Sequence, residues 1–358
     1  MSKNPQKISV IGAGIMGIMS AYSLTNRFPD AKITLYDAKG FPANNASFAA
    51  GGMIAPLSEL DHMPPHFLDA GFTAISLWAD AAHILPDTFE FTNNGSLFIT
   101  HQQDRHLLER FKSVLPAPSD DWKNMNADQI TALEPSLKNN VFRQGIHMKR
   151  EAHLHPRKAM NALLSAISYK EQRKACPDEE SQSADWVIDC RGIEAKSSAP
   201  DLRGVKGEIL IVHNPEFTLS RPLRLMHPRY PLYIVPRQGN IFMIGATIIE
   251  SDSENHVSLR SGMELMSALY SIDRSFGDAK IIEMLSGIRP SYPDNLPQIH
   301  IKGNIIRANG LYRHGFLFSP VLAQTITHYI AGEEYQHKHL FLKEESNEHH
   351  PEWRRAHA

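Results

Sequence analysis

Three glycines and one aspartate near the N-terminus have the residue types and the spacing of a nucleotide-binding turn. Gly12, Gly14 and Gly17 stand in Gly-Ala-Gly-Ile-Met-Gly, between a short β-rich run and a helical stretch. Glycines there permit a tight turn, close approach of backbone to a pyrophosphate, and close packing of helix on strand. Asp37 lies 20 residues after Gly17, at the end of a second strand, where a carboxylate can bind a ribose diol. The pattern predicts a dinucleotide site and leaves NAD and FAD both open.

Two further segments favour a flavin over a nicotinamide. Residues 48–56 are mostly small and apolar, which lets backbone lie flat against a ring system; a plain buried loop is the alternative. Near the C-terminus we expect Ser319 to be the N-cap and Pro320 the first residue of a final helix. A helix N-terminus aimed at a flavin stabilises the negative charge that develops on reduction.

The elements that must position these residues follow from the hydrophobic periodicity. Residues 7–37 predict a βαβ unit, and the four strand-like runs between residues 207 and 247 predict an antiparallel meander. Further strands are predicted at 95–101, 186–188 and 304–308, and helices at 65–83, 102–114, 156–167, 259–276 and 320–331. This order predicts an α/β fold of two domains whose segments interleave.

Several longer motifs together resemble the D-amino-acid oxidase superfamily, over about residues 8–332. They are Ala50-Gly-Gly-Met53, the run 227–237, Ile244-Gly-Ala-Thr247, Gly287-Ile-Arg-Pro290 and Gly310-Leu-Tyr-Arg-His-Gly-Phe316. Within the superfamily they are most similar to the glycine oxidases that serve thiamine biosynthesis. The resemblance implies non-covalent FAD and a Rossmann-like FAD-binding domain interleaved with an α+β substrate domain that contains a mixed or antiparallel sheet. It also implies hydride transfer from a small amino acid to flavin N5, with oxygen as the acceptor and hydrogen peroxide as a product.

The resemblance also implies the site residues. Arg289 matches the arginine that clamps the substrate carboxylate, Tyr233 a tyrosine supporting it, Arg313 an arginine beside the flavin, and Met53 a residue near the ring. A guanidinium at a strand end can grip a carboxylate bidentately, although Arg289 could also form an ordinary surface ion pair, and Tyr233 could be a cross-strand packing residue. The residues implied to contact FAD are Gly12, Gly14, Ile15, Met16, Gly17, Asp37, Ala38, Ser47, Ala50, Gly51, Gly52, Met53, Gly192, Arg313, His314, Gly315 and Phe316.

The predicted domain division follows the same resemblance. The FAD-binding domain takes residues 1–90, 150–205 and 282–343, and the substrate domain takes residues 91–149 and 206–281. A polar tail occupies residues 344–358, and its His349 and His350 are expected to be solvated rather than metal ligands.

Three positions depart from the superfamily pattern. Residues 168–185 form a shorter segment than the hairpin that members usually place against the adenine half of FAD. His155 stands where many members carry an acid. Cys190 lies in a turn near the pyrophosphate, where Gly192 keeps the backbone freedom that the turn needs, and we expect this cysteine to be structural rather than reactive.

Composition restricts the classes of partner. Lys and Arg total 37 against 39 Asp and Glu, so no basic field attracts nucleic acid. The first apolar stretch is interrupted by glycines, so neither a signal peptide nor a membrane helix is predicted, and we expect a cytoplasmic protein. Two cysteines without a CxxC spacing predict neither a disulfide framework nor a metal site. The expected partners are a small amino acid and oxygen, with a homo-oligomer possible and no apolar stripe to place its interface.

Three functions stay open at this point. The first is an FAD-dependent amino-acid oxidase that acts on glycine. The second is an oxidase or dehydrogenase of the same fold for sarcosine or a D-amino acid. The third is a flavin-binding protein without turnover, which a buried Arg289 would disfavour because an arginine is costly to desolvate without a substrate carboxylate.

Overall fold

The structure is a computed structural model that describes residues 4–42, 45–85, 89–117, 120–138, 141–228, 232–253 and 256–344. The predicted tail therefore lies outside the described residues except for Glu344, as do residues 229–231 of the 227–237 motif. No helix in the described ranges has the length and apolar character needed to cross a membrane.

A seven-stranded, mostly parallel sheet forms the first layer. Numbered along the chain, its strands are β1 (Lys7–Ile11), β2 (Lys32–Tyr36), β9 (Tyr169–Glu171), β10 (Trp186–Asp189), β17 (Gln298–Lys302), β18 (Ile305–Asn309) and β19 (Leu342–Glu344). Their order is β19-β17-β18-β10-β1-β2-β9, and only the β17–β18 pair is antiparallel. Parallel strands that are covered on both faces are buried along their length, as the first strand is from Ile8 to Ile11, including the polar Ser9.

A nine-stranded mixed sheet forms the second layer. Its strands are β5 (Ser96–Ile99), β6 (Trp122–Asn126), β7 (Gln144–Met148), β11 (Arg203–His213), β12 (Leu223–Leu225), β13 (Leu232–Arg237), β14 (Ile241–Gly245), β15 (Ile249–Glu250) and β16 (Lys280–Ser291). Their order is β15-β11-β14-β13-β12-β5-β7-β6, and β16 pairs with β11. A third sheet contains β3 (Met53–Ile54), β4 (Phe91–Thr92) and β8 (Ala152–Leu154), in the order β3-β8-β4.

The predicted four-stranded meander is wrong in its first member. β12, β13 and β14 do form an antiparallel meander, but β11 pairs with β14 rather than with its chain neighbour β12. β12 instead lies parallel to β5. Strand-like runs show where strands form, but pairing depends on contacts between residues far apart in the chain.

Nine helices surround these sheets in the described ranges, and two of them enclose the nucleotide turn. The helices are α1 (Ile15–Arg27), α2 (Leu68–Ile84), α3 (Arg105–Lys112), α4 (Ala127–Leu133), α5 (Pro156–Ser165), α6 (Pro177–Glu180), α7 (Leu259–Ile272), α8 (Gly315–Ala331) and α9 (Lys338–Phe341). The first helix, α1, follows β1 and packs against α8, so its residues are buried on nearly all sides.

The start predicted for the last long helix is wrong. α8 begins at Gly315, so Ser319 is not its N-cap and Pro320 lies inside it. Proline lacks the N–H that would bond to the carbonyl four residues earlier, which is that of Phe316. The indole Nε1 of Trp78 donates to this carbonyl at 2.6 Å instead. A tertiary contact therefore compensates for the proline, and the helix N-terminus moves into the loop of the Gly310–Phe316 motif.

Two hydrophobic cores accompany the two large sheets. One joins the seven-stranded sheet to α1, α2, α5 and α8, and the other fills the space between the nine-stranded sheet, α4 and α7. The predicted α/β class, with a Rossmann-like unit and a mixed second sheet, is confirmed. The predicted boundaries at 205/206 and 281/282 fall within β11 and β16, and the division into segments stays a prediction.

Candidate active site

A cavity of about 880 Å³ lies between the seven-stranded and nine-stranded sheets. Nearly all the predicted site residues line it: Gly12, Gly14, Ile15, Met16, Asp37, Ala38, Ser47, Ala50, Gly51, Gly52, Met53, Gly192, Tyr233, Arg289, Arg313, Gly315 and Phe316. Gly17 and His314 do not line it and lie immediately behind it. The tertiary structure therefore collects residues from widely separated chain segments at one opening.

The glycine turn is tight for reasons visible in its contacts. Gly12 has a φ of +103°, and a Cβ there would lie 2.5 Å from the Cys190 carbonyl oxygen. A Cβ on Gly17 would lie 1.8 Å from the Gly12 carbonyl oxygen. Both positions therefore exclude a side chain, whereas a Cβ on Gly14 would meet Ser47 Oγ at 3.5 Å and Asn45 Nδ2 at 3.7 Å, which are ordinary contacts. Gly17 allows α1 to pack closely against β1. Gly14 lines the cavity, and its lack of a side chain leaves space there.

The N-terminus of α1 points into this part of the cavity. The Ile15 N–H donates to Ser47 Oγ at 3.0 Å, and the Ile18 N–H donates to the Gly14 carbonyl at 3.0 Å. The amides before Ile18 have no acceptor within the helix, a geometry that suits an anion. Asp37 holds the turn by accepting from the Ala13 and Lys39 amides, each at 2.7 Å.

Basic residues line the cavity wall opposite the glycine turn. The short segment after β9 contributes Arg173, Lys174 and Ala175 to the lining, in the place where the sequence lacks a full hairpin. Arg191 also lines the cavity but is paired with Asp189 at 2.8 Å. Cys190 is buried, and burial raises the pKa of its thiol. These observations agree with a packing role for that cysteine.

The loop of Gly51, Gly52 and Met53 forms another part of the cavity wall. Gly52 has a φ of +71°, and a Cβ there would lie 2.2 Å from the Leu154 carbonyl oxygen. Arg237 donates to the Gly51 carbonyl at 2.5 Å. Burial, and then Arg237, lower the pKa of His155 to about 4, so this imidazole is neutral where many superfamily members carry an acid.

A buried cluster centred on Glu59 stands beside that loop. Glu59 Oε2 lies 3.1 Å from both Arg313 Nε and His314 Nε2, and its Oε1 lies 3.1 Å from Arg313 Nη2. The Tyr233 hydroxyl donates to Glu59 Oε1 at 3.3 Å. Burial by itself would raise the pKa of Glu59, but Arg313, His314 and Arg224 together hold it well below its ordinary value. Glu59 is therefore an ionised counter-ion, and its neighbours occupy both of its oxygens.

Arg289 lies on β16 and enters the cavity without an acidic partner. Its Nη1 donates to the Thr247 carbonyl at 3.1 Å, and among the described residues no carboxylate pairs with it. Burial, followed by repulsion from Arg313, lowers its pKa to about 10, so it stays protonated at neutral pH. Gly207 makes room for it, since a Cβ there would lie 2.2 Å from Arg289 Nη2. Within the described part of the chain, the cavity thus holds a guanidinium that forms no ion pair, and Glu59 attracts it only from a greater distance.

The match to known families is extensive. A family model described as FAD dependent oxidoreductase, abbreviated DAO, covers residues 7–329. The chain belongs to the DAO family. It is an FAD-dependent oxidoreductase of the amino-acid oxidase type, and its cofactor is FAD.

Individual relatives agree with this membership. The chain is 38% identical to a protein of Rhizobium etli named as the thiamine biosynthesis oxidoreductase ThiO, over 92% of this chain and 98% of that protein. It is 26% identical to the glycine oxidase of Bacillus licheniformis, over 90% of this chain and 92% of that enzyme. The crystal structure of glycine oxidase from Geobacillus kaustophilus matches in fold, with a TM-score of 0.80 and 20% identity over 92% of this chain and 96% of that one.

Three structural features of the cavity suit FAD. The side-chain-free turn at Gly12 and Gly14, with the amides at the start of α1, suits a pyrophosphate. The free N-terminus of α8 at Gly315 suits the pyrimidine end of a reduced flavin. Arg313 Nη1 is buried without a hydrogen-bond partner among the described residues, which leaves a donor for a bound acceptor. The contacts of individual residues with FAD stay predictions.

Glu59 and Gly207 line the cavity, but neither was predicted from the sequence. Glu59 is the first charged residue after Lys39 and closely follows the small and apolar segment 48–57, and this position was an available signal. Gly207 gives no signal by itself, because its importance depends on Arg289, which lies on the neighbouring strand. In the described part of the chain, no group of three or more His, Cys, Asp or Glu residues could hold a metal ion.

Proposed function

We propose that this protein oxidises glycine at its α-carbon to the imino acid. The observation that carries the proposal is Arg289, a partly buried cavity arginine without an ion-pair partner in the described structure. Leaving such a charge unpaired is costly, and a substrate carboxylate would satisfy it bidentately. The names of the relatives, a glycine oxidase and a thiamine biosynthesis oxidoreductase, support an amino acid and favour glycine.

The side chains of the site orient and shield the substrate. Arg289 would hold the carboxylate, and Tyr233 would flank it as a neutral phenol, because burial raises the pKa of its hydroxyl. Glu59 fixes Arg313 from behind, and its hydrogen bonds leave it poorly suited to be a base. FAD, when bound, supplies the hydride acceptor. With the amine neutral, the α-carbon loses a hydride without a general base, so orientation and exclusion of water suffice.

The balance of the proposed reaction follows from its products. Glycine loses a hydride from the α-carbon and a proton from nitrogen, and water converts the imino acid to glyoxylate and ammonia. Oxygen receives the two electrons with two protons and becomes hydrogen peroxide. The name of the Rhizobium etli relative supports use of the imino acid in thiamine biosynthesis.

Sarcosine or a D-amino acid is the second candidate substrate, because Met243 and Ile209 give the cavity an apolar wall. The cytoplasmic location stays a prediction.

A visible absorbance spectrum of the purified holoprotein tests the proposal. Without oxygen, glycine is expected to bleach the flavin band faster than sarcosine or D-alanine at equal concentration, and air is expected to restore the band with peroxide release. Faster bleaching by sarcosine or D-alanine would move the substrate assignment to that compound. A flavin band that none of the three bleaches would refute amino-acid oxidation at this site.

We also propose that the chain self-associates through an exposed apolar face, which the sequence reasoning did not recognise. α7 and β16 expose large apolar side chains whose exposed fractions run from 37% to 80%: Leu259, Met263, Met266, Tyr270, Ile281, Ile282 and Met284. Helix and strand form one surface, because Met284 Cε would lie 3.0 Å from a Cβ on Gly262.

A second copy of the chain is the occupant that this apolar face fits. A half-exposed large side chain leaves on the order of 100 Å² open, so the seven approach the roughly 800 Å² that each partner buries in a standard interface. In the described structure β11 is the only strand that pairs with β16, and on the other edge of β16 Ser291 bridges to Leu311. A two-fold axis would bring the rest of that edge against the same edge of another copy.

Charges placed on the apolar face are expected to separate the copies. Light scattering should give the wild type about twice its chain mass of 40.3 kDa, and the double variant Met263→Lys, Tyr270→Lys one chain mass with an unchanged flavin spectrum. Ile84→Lys is the control, because Ile84 is 64% exposed on α2, away from this face. A monomeric wild type, or a double variant that keeps the wild-type mass, would contradict the interface.

A further inference from the structure

A buried carboxylate behind the cavity holds the residue next to Glu59. Glu151 Oε1 accepts from the Ser58 backbone N–H at 2.7 Å, and Glu151 Oε2 accepts from the Ser58 hydroxyl at 2.7 Å. The Ser96 hydroxyl also donates to Oε2. Glu151, Ser58 and Ser96 are all fully buried. Glu151 does not line the cavity, so it reaches the site only through these contacts.

Arg224 completes the hold on Ser58. Its guanidinium donates to the Ser58 carbonyl and to Asp61 Oδ2, the latter at 2.6 Å. Every polar group of Ser58 is therefore bound by Glu151 or Arg224. Because Ser58 and Glu59 share one short 3₁₀ turn, Leu57–Glu59, this binding sets the direction in which the Glu59 side chain leaves the backbone.

Arg224 also contacts the second member of the cluster. In the nine-stranded sheet it lies opposite Tyr233 on one side and opposite Phe98 on the other. Its guanidinium carbon lies 5.5 Å from the centre of the Tyr233 ring and 4.8 Å from that of Phe98. Such cation–π contacts within about 6 Å are favourable, the more so when they are desolvated. Arg224 therefore supports both Glu59 and the tyrosine that we propose to flank the substrate.

We infer that Glu151 and Arg224 are positioning residues that fix Glu59 and Tyr233, and through Glu59 also Arg313, in the geometry that binds the substrate. The inference rests on the proposed function only for the identity of the substrate. Neither residue is expected to touch the substrate or FAD. Removing the charge of Glu151 would loosen the 3₁₀ turn that contains Glu59 and change the affinity of the site for a carboxylate. The affinity for FAD would stay unchanged.

The protonation of Glu151 provides a distinctive readout. Burial raises its pKa to about 7, against the smaller lowering effects of Ser96, Ser58 and Arg224, the groups that face it. A carboxyl whose pKa is raised on folding stabilises the fold below its unfolded value near 4.5 and loses that contribution as pH rises through about 7. The ionised form can accept all three hydrogen bonds, so substrate binding should improve as pH rises through about 7, where the loss of stability is nearly complete. Glu151→Gln should flatten both changes.

Glu134 offers a matched control for this variant. It too is a buried carboxylate that accepts from the N–H and the hydroxyl of one serine, Ser220, the N–H at 2.9 Å. It also pairs with Arg221 at 2.7 Å. Neither Glu134 nor Ser220 lines the cavity. Glu134→Gln should therefore reproduce the structural cost of Glu151→Gln and leave the site unchanged.

The experiment compares the Glu151→Gln and Glu134→Gln holoenzymes between about pH 5.5 and 8.5, an interval that brackets the raised pKa. Glu151→Gln should lower kcat/KM for glycine roughly tenfold to a hundredfold, weaken acetate binding in flavin difference spectra, and keep the wild-type flavin content. Glu134→Gln should change neither quantity more than about twofold. Ser58→Ala should resemble Glu151→Gln, and the double variant should be no worse than the poorer single variant.

Several outcomes would overturn the inference. Equal effects of Glu151→Gln and Glu134→Gln on kcat/KM and on acetate binding would make Glu151 merely structural, and so would additive losses in the double variant. If Glu151→Gln does not fold, Ser58→Ala decides the question by the same two readouts. Acetate binding is measured without turnover. A wild type that glycine does not reduce would therefore refute the proposed function and still leave the positioning role open to measurement.

Discussion

Replacing Arg289 with alanine is expected to lower kcat/KM for glycine by roughly 10²–10³-fold, because truncating one partner of a buried charge pair costs about 2–5 kcal/mol. The loss should appear mainly in KM, since the guanidinium would bind the carboxylate in the ground state as well as in the transition state. The flavin content should stay at the wild-type level. Stopped-flow reduction by glycine, with flavin absorbance as the signal, measures both quantities.

Arg289→Lys should recover only part of this activity, because an ammonium cannot reproduce a planar bidentate grip. Arg203→Ala is the matched control. Arg203 lies on the neighbouring strand two register positions away, opposite Ser291, and forms an ion pair with the exposed Glu250. It should change kcat/KM by less than about twofold. An Arg289→Ala enzyme with the wild-type KM for glycine would show that the carboxylate is held elsewhere.

Replacing Gly17 with alanine is expected to destroy the cofactor site and destabilise the fold by about 3 kcal/mol or more. The added Cβ would lie 1.8 Å from the Gly12 carbonyl oxygen and 3.4 Å from Cys190 Cβ. Relief requires α1 to move away from β1, which shifts the amides at the helix N-terminus. FAD titration by fluorescence and urea unfolding of the apoprotein measure the two effects separately.

Two other glycine substitutions separate the consequences of Gly17→Ala. At Gly303 nothing lies within 4 Å of the position that a Cβ would take, although its φ is +60°; alanine there should cost about 1–2 kcal/mol and leave FAD affinity unchanged. Gly14→Ala should keep the apoprotein stable and weaken FAD binding, because its Cβ would project toward the pyrophosphate position. If Gly17→Ala bound FAD with the wild-type affinity, the assigned packing of α1 on β1 would be wrong.

Local sequence was enough to predict the nucleotide turn. Gly12, Gly14, Gly17 and Asp37 lie within one βαβ unit, and the conformations that they require depend on neighbours that are close in the chain. The same holds for the alternation that marked the individual strands. The family resemblance extended the prediction to Arg289 and Tyr233, which do reach the cavity, although their contacts with a substrate stay predictions.

Contacts between distant segments account for the errors and omissions. Pro320 was expected to begin the last helix, but the indole of Trp78 on α2 replaces its missing N–H and lets α8 begin at Gly315. β11 was expected beside β12 and lies beside β14. Neither outcome is encoded in a short window of sequence, because each depends on a partner far away in the chain.

The sequence by itself determined the fold class and the dinucleotide-binding turn, and its family resemblance predicted that Arg289 is the arginine offered to a carboxylate. Only the tertiary structure decided that Arg289 has no acidic partner among the described residues, that Glu59 neutralises Arg313, and that Glu151 and Arg224 bind Ser58 behind it. The reason is physical. Backbone conformation follows largely from local sterics. The charge state of a buried group, and whether it has a hydrogen-bond or ion-pair partner, depend instead on every element packed around it.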